Sequence, residues 1–311
     1  MKKTLCILAV LLVIAGGVLM LATFPTIHAE QQKNDEYADF SEDLKDRFDS
    51  VEVHAVIADV IITSTDGGNP SVVAKTDPAI TVRVESNGTT LVIEEIDQRK
   101  WYQKIGIDFT KPSKIEIHLA NGTYTTLNVL NINGDITVKA DLETIAFENI
   151  FTENTNGDTE IKIPVNFVSC NSKNGDISFI LGPISPDGRG TTALVKGMTT
   201  NGDIVDSSFA SHKSFVTGNG KITSTGSFAI LYAKTTNGDI SFNRIYGDKV
   251  TAESVNGDIT AAIMQPMNYV TSSKNGRVTV PKETGESPFV ASTVNGNITI
   301  EIAAGIELLD D

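Results

Sequence analysis

Cysteine is nearly absent from this 311-residue chain: Cys6 sits in an apolar N-terminal run and Cys170 stands alone far from it. Two such residues cannot build a disulfide framework or a clustered cysteine metal site. Basic residues are short as well, 25 against 39 acidic ones, for a formal net charge of -14. That balance excludes a nucleic-acid binder, because phosphates would be repelled. It also disfavours docking of the whole surface onto anionic lipid, leaving only a local basic patch able to do so. Aromatic residues make up 6% of the chain, with Trp101 the single tryptophan. No phosphate loop or nucleophile motif is present, and the acidic residues do not converge as a glycosidase pair would require.

What is there is a repeat. Asn-Gly occurs at Asn133-Gly134, Asn156-Gly157, Asn174-Gly175, Asn201-Gly202, Asn219-Gly220, Asn237-Gly238, Asn256-Gly257, Asn275-Gly276 and Asn295-Gly296. The steps between asparagines are 23, 18, 27, 18, 18, 19, 19 and 20 residues. A period near 20 that absorbs insertions marks a repeat architecture. Aligned on the asparagine, the column six residues earlier is apolar in all copies but one, where Lys213 stands among Leu127, Val168, Val195 and Leu231. Four residues earlier the column is mostly small, and Cys170 falls in it as a structural residue. Two residues earlier every copy has Asn, Ser or Thr, and three residues later Ile dominates. Columns stepping by two are the signature of strands. Each copy therefore reads as strand, Asn-Gly corner, strand. Equivalence along whole copies predicts parallel stacking, not a series of hairpins. The expected fold is all-β: a parallel β-solenoid of about nine coils, roughly 43 Å long at a rise of about 4.8 Å per coil. Asn-Gly suits a corner because both residues tolerate left-handed backbone angles.

The flanks complete the organisation. Met1-Lys2-Lys3 precedes an uncharged run from Thr4 to Phe24, long enough to cross a bilayer as one helix, and the lysines would hold its start in the cytoplasm. Residues 1–29 are expected to be that anchor, with a cleaved signal as the alternative; either way the rest is exported. Residues 30–49, with eight acidic and three basic side chains, read as a solvated stalk or short polar helix. Residues 50–126 alternate in strand fashion and are expected to cap the solenoid, which occupies 127–303 and ends in an acidic tail, 304–311.

Three constellations are candidates for function. Asp135, Asp158, Asp176, Asp203, Asp239 and Asp258 follow six of the glycines and would stack into a row. Such a row invites a calcium ladder; Lys221 and Arg277 interrupt it, and the plainer reading is that each aspartate bonds nearby backbone N–H groups. Arg99, Lys100, Trp101, Tyr102 and Lys104 combine aromatic and basic side chains in one loop, a mixture that can stack sugars or grip an anion; the plainer reading is a long hairpin connection whose Trp packs on the domain. Lys114, Glu116 and His118 share a strand face at a spacing metal ligands sometimes use, and the plainer reading is a solvated face.

The opening alternation with Ala58-Asp59-Val60 and Ile62, then Thr90-Leu91-Val92-Ile93, then Ile115, Ile117 and Leu119 running into Tyr124 and Leu127, precedes the Asn-Gly-Asp-Ile repeats. In these residues the chain resembles a bacterial cell-envelope putative-adhesin family, a β-solenoid domain of unknown function, over about residues 50–303. The resemblance implies a Gram-positive envelope, an N-terminal membrane anchor and no established catalytic residues. The function expected is a non-enzymatic binding, adhesion or scaffolding module facing outward from a single-pass anchor, without cofactor, its partner a cell-envelope glycan or a membrane or surface protein. The alternatives are a sensory accessory of an envelope-stress system and, third, a polysaccharide-acting enzyme.

Overall fold

The computed structural model describes residues 38–44, 47–65, 69–98, 113–140, 145–181 and 192–303. The regular elements among them are all strands. The first part supplies β1 (Ala38–Asp43), β2 (Ser50–Ala55), β3 (Ala58–Ser64), β4 (Ser71–Thr76), β5 (Ile80–Asn87), β6 (Thr90–Asp97) and β7 (Ser113–Leu119). The repeats supply β8 (Gly122–Asn133), β9 (Ile136–Lys139), β10 (Ile145–Asn156), β11 (Thr159–Lys162), β12 (Val165–Asn174), β13 (Ile177–Phe179), β14 (Thr192–Asn201), β15 (Ile204–Asp206), β16 (Ala210–Asn219) and β17 (Ile222–Asn237). They continue with β18 (Ile240–Glu253), β19 (Ile259–Ile263), β20 (Asn268–Ser273), β21 (Val278–Thr279), β22 (Pro288–Thr293) and β23 (Ile298–Ile302). All 23 join one continuous sheet that winds as a solenoid.

Repeats stack in parallel with asparagine on asparagine: Asn133 on Asn156, Asn156 on Asn174, Asn174 on Asn201, Asn201 on Asn219 and Asn219 on Asn237. The apolar columns face inward. Leu127, Ile150, Val168, Val195, Leu231 and Val250 on one side, and Ile136, Ile177, Ile204, Ile222, Ile240 and Ile259 on the other, are fully buried. Burial of this kind is worth roughly 1.5–3 kcal/mol per large aliphatic side chain, and fixes the register of every coil.

Three hydrogen-bonded ladders run up the corner. Each asparagine Nδ2 donates to the Oδ1 of the asparagine below, as from Asn174 to Asn156 at 2.8 Å and from Asn237 to Asn219 at 2.7 Å. Each aspartate Oδ1 accepts the backbone N–H of the equivalent residue above, as from Asp176 to Asp158 at 2.8 Å and from Lys221 to Asp203 at 2.7 Å. Inside the corner, Thr199, Thr217, Thr235 and Ser254 donate hydroxyls to the glycine carbonyls below, at 2.9–3.1 Å. These hydroxyls are thus bonded to backbone, not to one another.

The glycine requirement differs from the sequence expectation. None of the corner asparagines is left-handed, and among the corner glycines only Gly134, Gly157 and Gly175 have φ between 127° and 158°. The common need is space. A Cβ on Gly175, Gly220, Gly238 or Gly257 would lie 1.8–1.9 Å from the carbonyl oxygen of the glycine beneath it. Backbone packs directly on backbone there, and any side chain would prise the coils apart.

Chain order and stacking order part company at both ends. The coil β2–β3 pairs with β8–β9 on one side and β6–β7 on the other, so the first coil made lies second in the stack. At the far end β22–β23 sits between β18–β19 and β20–β21, so the last coil made is interposed before the terminal one. Side chains account for that choice. Phe289, Ala291, Ile298 and Ile300 are buried and need cover on both sides, whereas Tyr269, Thr271 and Ser273 tolerate an end position where they stay half-buried. Residues 50–126 are therefore partly stack and partly cap: β1, β4 and β5 close the N-terminal end by antiparallel pairing. β1 also places residues 38–43, expected in a stalk, within the sheet. Residues 1–37 lie outside the described residues, and with them the expected membrane span; among the described residues no helix is long and apolar enough to cross a membrane.

Lys213, the exception in its apolar column, is fully buried with Asp206. Its Nζ donates to Asp206 Oδ2 at 2.8 Å and to the carbonyls of Ser208 and Thr225 at 2.6 and 2.7 Å. Asp206 in turn accepts the hydroxyls of Ser208 and Ser224. Every donor of the ammonium is met, and Asp206 offsets part of the burial that pulls its pKa down. Cys170 is buried, and burial pushes its thiol up to about 12, which removes it as a nucleophile.

Two outcomes follow. Gly238→Ala should destabilise the fold by at least about 2 kcal/mol, read as a fall in the urea midpoint, while Thr236→Ala at the exposed neighbouring position should change it by less than about 0.5 kcal/mol. Lys213→Met should cost about 3–5 kcal/mol by stranding a buried carboxylate, and Lys213→Met combined with Asp206→Val should recover a large part of that loss in the same measurement.

Candidate ligand-binding groove

The aspartates predicted to align do so. Asp135, Asp158, Asp176 and Asp203 occupy successive coils, and Asp258 follows Asp239 beyond the Lys221 coil. The row starts earlier than the repeats suggested, because Asp59 Oδ1 accepts the N–H of Asp135 at 2.9 Å. One oxygen of each bonded carboxylate is committed to a backbone N–H, and neighbours are spaced by the coil rise without converging. Among the described residues no group of three or more His, Cys, Asp or Glu side chains is arranged to hold a metal ion. Lys114, Glu116 and His118 form a half-exposed ion-paired row, in which the Lys114 hydrogen bond lowers the Glu116 pKa. The loop bearing Arg99, Lys100, Trp101, Tyr102 and Lys104 lies outside the described residues.

A groove of about 590 Å³ opens where the corner pattern changes. The coil β2–β3 turns through Ala55-Val56-Ile57-Ala58 instead of Asn-Gly. With no asparagine there, the ladder ends as Asn133 Nδ2 donates to the Val56 carbonyl at 3.3 Å. The vacated corner is held from below by Glu95, whose Oε2 accepts the N–H groups of Val56, Ile57 and Ala58 at 2.6, 2.9 and 3.1 Å. Three backbone dipoles thus stabilise a buried carboxylate in a concave nest.

Above that floor, one outward column rises through His54, Leu130, Glu153 and Asn171, each in register with the next. Ile132, Thr155 and Lys173 line it alongside. The column spans three coil rises, about 14 Å. His54 is partly exposed and its Nε2 lies 2.8 Å from Glu52 Oε1. The lining mixes both charge signs, an amide, a hydroxyl and two aliphatic side chains along one axis. Such a surface suits an extended polar ligand with apolar faces; the ionisable groups are strung along it instead of converging on one point, so it can hold a chain better than it can cut one.

Sequence reasoning missed this groove because it is made by a departure from the repeat. The signal was present: Ala58-Asp59-Val60 aligns with Gly-Asp-Ile, while Val56-Ile57 stands where the asparagine should be. Glu95 is in register with Ala55, since His54 pairs with Glu94, so it occupies the column otherwise held by Asn131, Asn154 and Ser172.

Similar structures have been solved. One, titled a putative adhesin from Bacteroides fragilis, is 12% identical over 86% of this chain and 98% of its own, with a TM-score of 0.45. A second, titled a putative lipid binding protein from Parabacteroides distasonis, is 14% identical over 86% and 98% of the two chains, with a TM-score of 0.38. A third, titled a putative cell adhesion protein from Clostridium sporogenes, is 9% identical over 85% and 99%, with a TM-score of 0.31. No curated protein matches the chain. The family model described as Toastrack DUF4097 matches residues 48–304, which takes in β2 to β23. The chain belongs to the Toastrack DUF4097 family.

Proposed function

We propose that this protein is a non-enzymatic binding module of the cell envelope, held by one membrane span within residues 4–24 and facing outward, and that its groove takes an extended glycan. The groove itself carries the reading. It runs along the solenoid axis, and its column of His54, Leu130, Glu153 and Asn171 repeats at the coil rise, as a linear polymer repeats along its length. Lys173, Glu153 and His54 offer hydrogen bonds to hydroxyl or acetamido groups, and Leu130 and Ile132 offer contact to the apolar faces of sugar rings. The acidic surface favours a neutral or weakly charged polymer over a polyanion. The apolar run that follows Lys2-Lys3 supports export and anchoring.

Binding of purified envelope glycan fragments to the exported portion, residues 30–311, tests this by calorimetry. The combined variant His54→Ala and Lys173→Ala should weaken binding about tenfold, because two lost hydrogen bonds at a partly solvated site amount to roughly 1–2 kcal/mol. Fragments that fail to bind, or that bind the variant equally well, would remove the groove from the account.

A further inference from the structure

A second surface, on the other side of the coil from the Asn-Gly corner, sets exposed aromatic side chains beside a bulge. Phe209 and Tyr246 are the most exposed aromatic side chains among the described residues, at 59% and 54%. They share one column. The same offset holds Asp206 beside Ser224 and His212 beside Ile230, which puts Phe209 between them beside Ser227, and Ser227 pairs with Tyr246. Met264, also exposed, follows in the next coil, where its N–H bonds the carbonyl of Ile245 at 2.9 Å. Strand β18 bulges here by one residue, Arg244, which both of its pairings skip: Asn243 and Ile245 face Thr225 and Gly226 of β17 on one side and Ala262 and Ile263 of β19 on the other. The bulged Arg244 is also the one non-glycine residue with positive φ among the described residues, at 53°. Bulges re-aim side chains and gather beside functional sites, and a non-glycine residue held left-handed costs free energy that the surroundings must supply.

We infer that Phe209, Ser227 and Tyr246 form a sugar-stacking platform for a β-1,4-linked glycan lying along the solenoid axis, at a site separate from the groove. The spacing argues for it. Phe209 and Tyr246 are two coil rises apart, about 9.5 Å. One pyranose in an extended β-1,4 chain advances the chain by close to one coil rise. Each linkage also turns the ring over, so the same face returns at every second sugar. Rings on alternate coils with a small residue between them meet that pattern: sugars one and three stack on Phe209 and Tyr246, and sugar two passes over the Ser227 hydroxyl. Exposed Arg244 adds donors at the edge. An α-linked helical glycan presents no straight face to such a row. This inference shares with the proposed function only the class of ligand.

The test titrates the full chain with chitohexaose, and with maltohexaose as the α-linked control, following heat and the Tyr246 ring signals by NMR. Chitohexaose should bind and shift those signals, and maltohexaose should not. Phe209→Ala and Tyr246→Ala should each weaken binding about tenfold with the thermal midpoint unchanged, and Tyr246→Trp should keep it. His54→Ala with Lys173→Ala should leave the Tyr246 shifts in place even if it weakens total binding. Chitohexaose binding that ignores both aromatic variants but falls with the groove variant would overturn the platform and leave the groove standing. Shifts at Tyr246 with an unaffected groove variant would support the platform while removing the groove. An absence of heat and of shifts would overturn the platform outright.

Discussion

The contact on which the rod depends is the approach of one glycine backbone to the next at the Asn-Gly corner. A Cβ there would meet a carbonyl oxygen at about half a normal contact distance, as at Gly257 over Gly238, 1.8 Å. Because the coils can touch backbone to backbone, the asparagine amides and the Ser/Thr hydroxyls reach the coil below and the aspartate carboxylates the coil above, all in one repeated geometry. Each bond is worth about 1 kcal/mol net, and the same set recurs with every coil. The aspartate earns its place by accepting a backbone N–H that would otherwise face only solvent at the corner. Two of its three exceptions fit that role: Arg277 lies in the terminal coil, where no coil follows to supply an N–H, and Asn297 serves the same purpose with an amide oxygen at 2.9 Å; Lys221, inside the stack, does not.

The ends show what limits such a structure. A parallel coil can always add another, so each end must be closed or made polar. Antiparallel strands β1, β4 and β5 close one end. At the other, the chain places its more polar coil outermost and returns to fill the position beneath with Phe289, whose ring lies 6.3 Å from Phe242 and 6.5 Å from Tyr269. The interior also carries one buried ion pair, Lys213 with Asp206, that interrupts two apolar columns in adjacent coils. A pair so placed cannot shift by one coil without stranding a charge, which would penalise register slips in an otherwise repetitive stack.

Much of this was legible in the sequence, and the reasons are physical. Period-two columns around the asparagine gave the strands, their inward faces and the parallel stacking, since one buried face leaves no freedom of register. The glycine's role was not legible, because conformational tolerance and close approach select the same residue; only the spacing of the coils separates them. The interposed final coil was readable in principle, as Tyr269 and Thr271 stand where Phe289 and Ala291 are buried, but chain order is the natural assumption for repeats. Both candidate ligand surfaces lie where the pattern breaks, at Val56-Ile57 and at Arg244, and a search for recurrence passes over departures from it.

A rod whose recognition surfaces occupy its irregularities needs the regular part to be stiff. The most direct measurement is amide hydrogen exchange at the corners. The N–H groups of Asp158, Asp176, Asp203 and Lys221 lie beside exposed side chains, yet each donates to a carboxylate one coil below. If the corners hold the coils together, these amides should exchange as slowly as those of the neighbouring strand residues Ile177 and Ile204, by the same cooperative opening. Exchange at the rate of an open loop, with the strands still protected, would contradict the account.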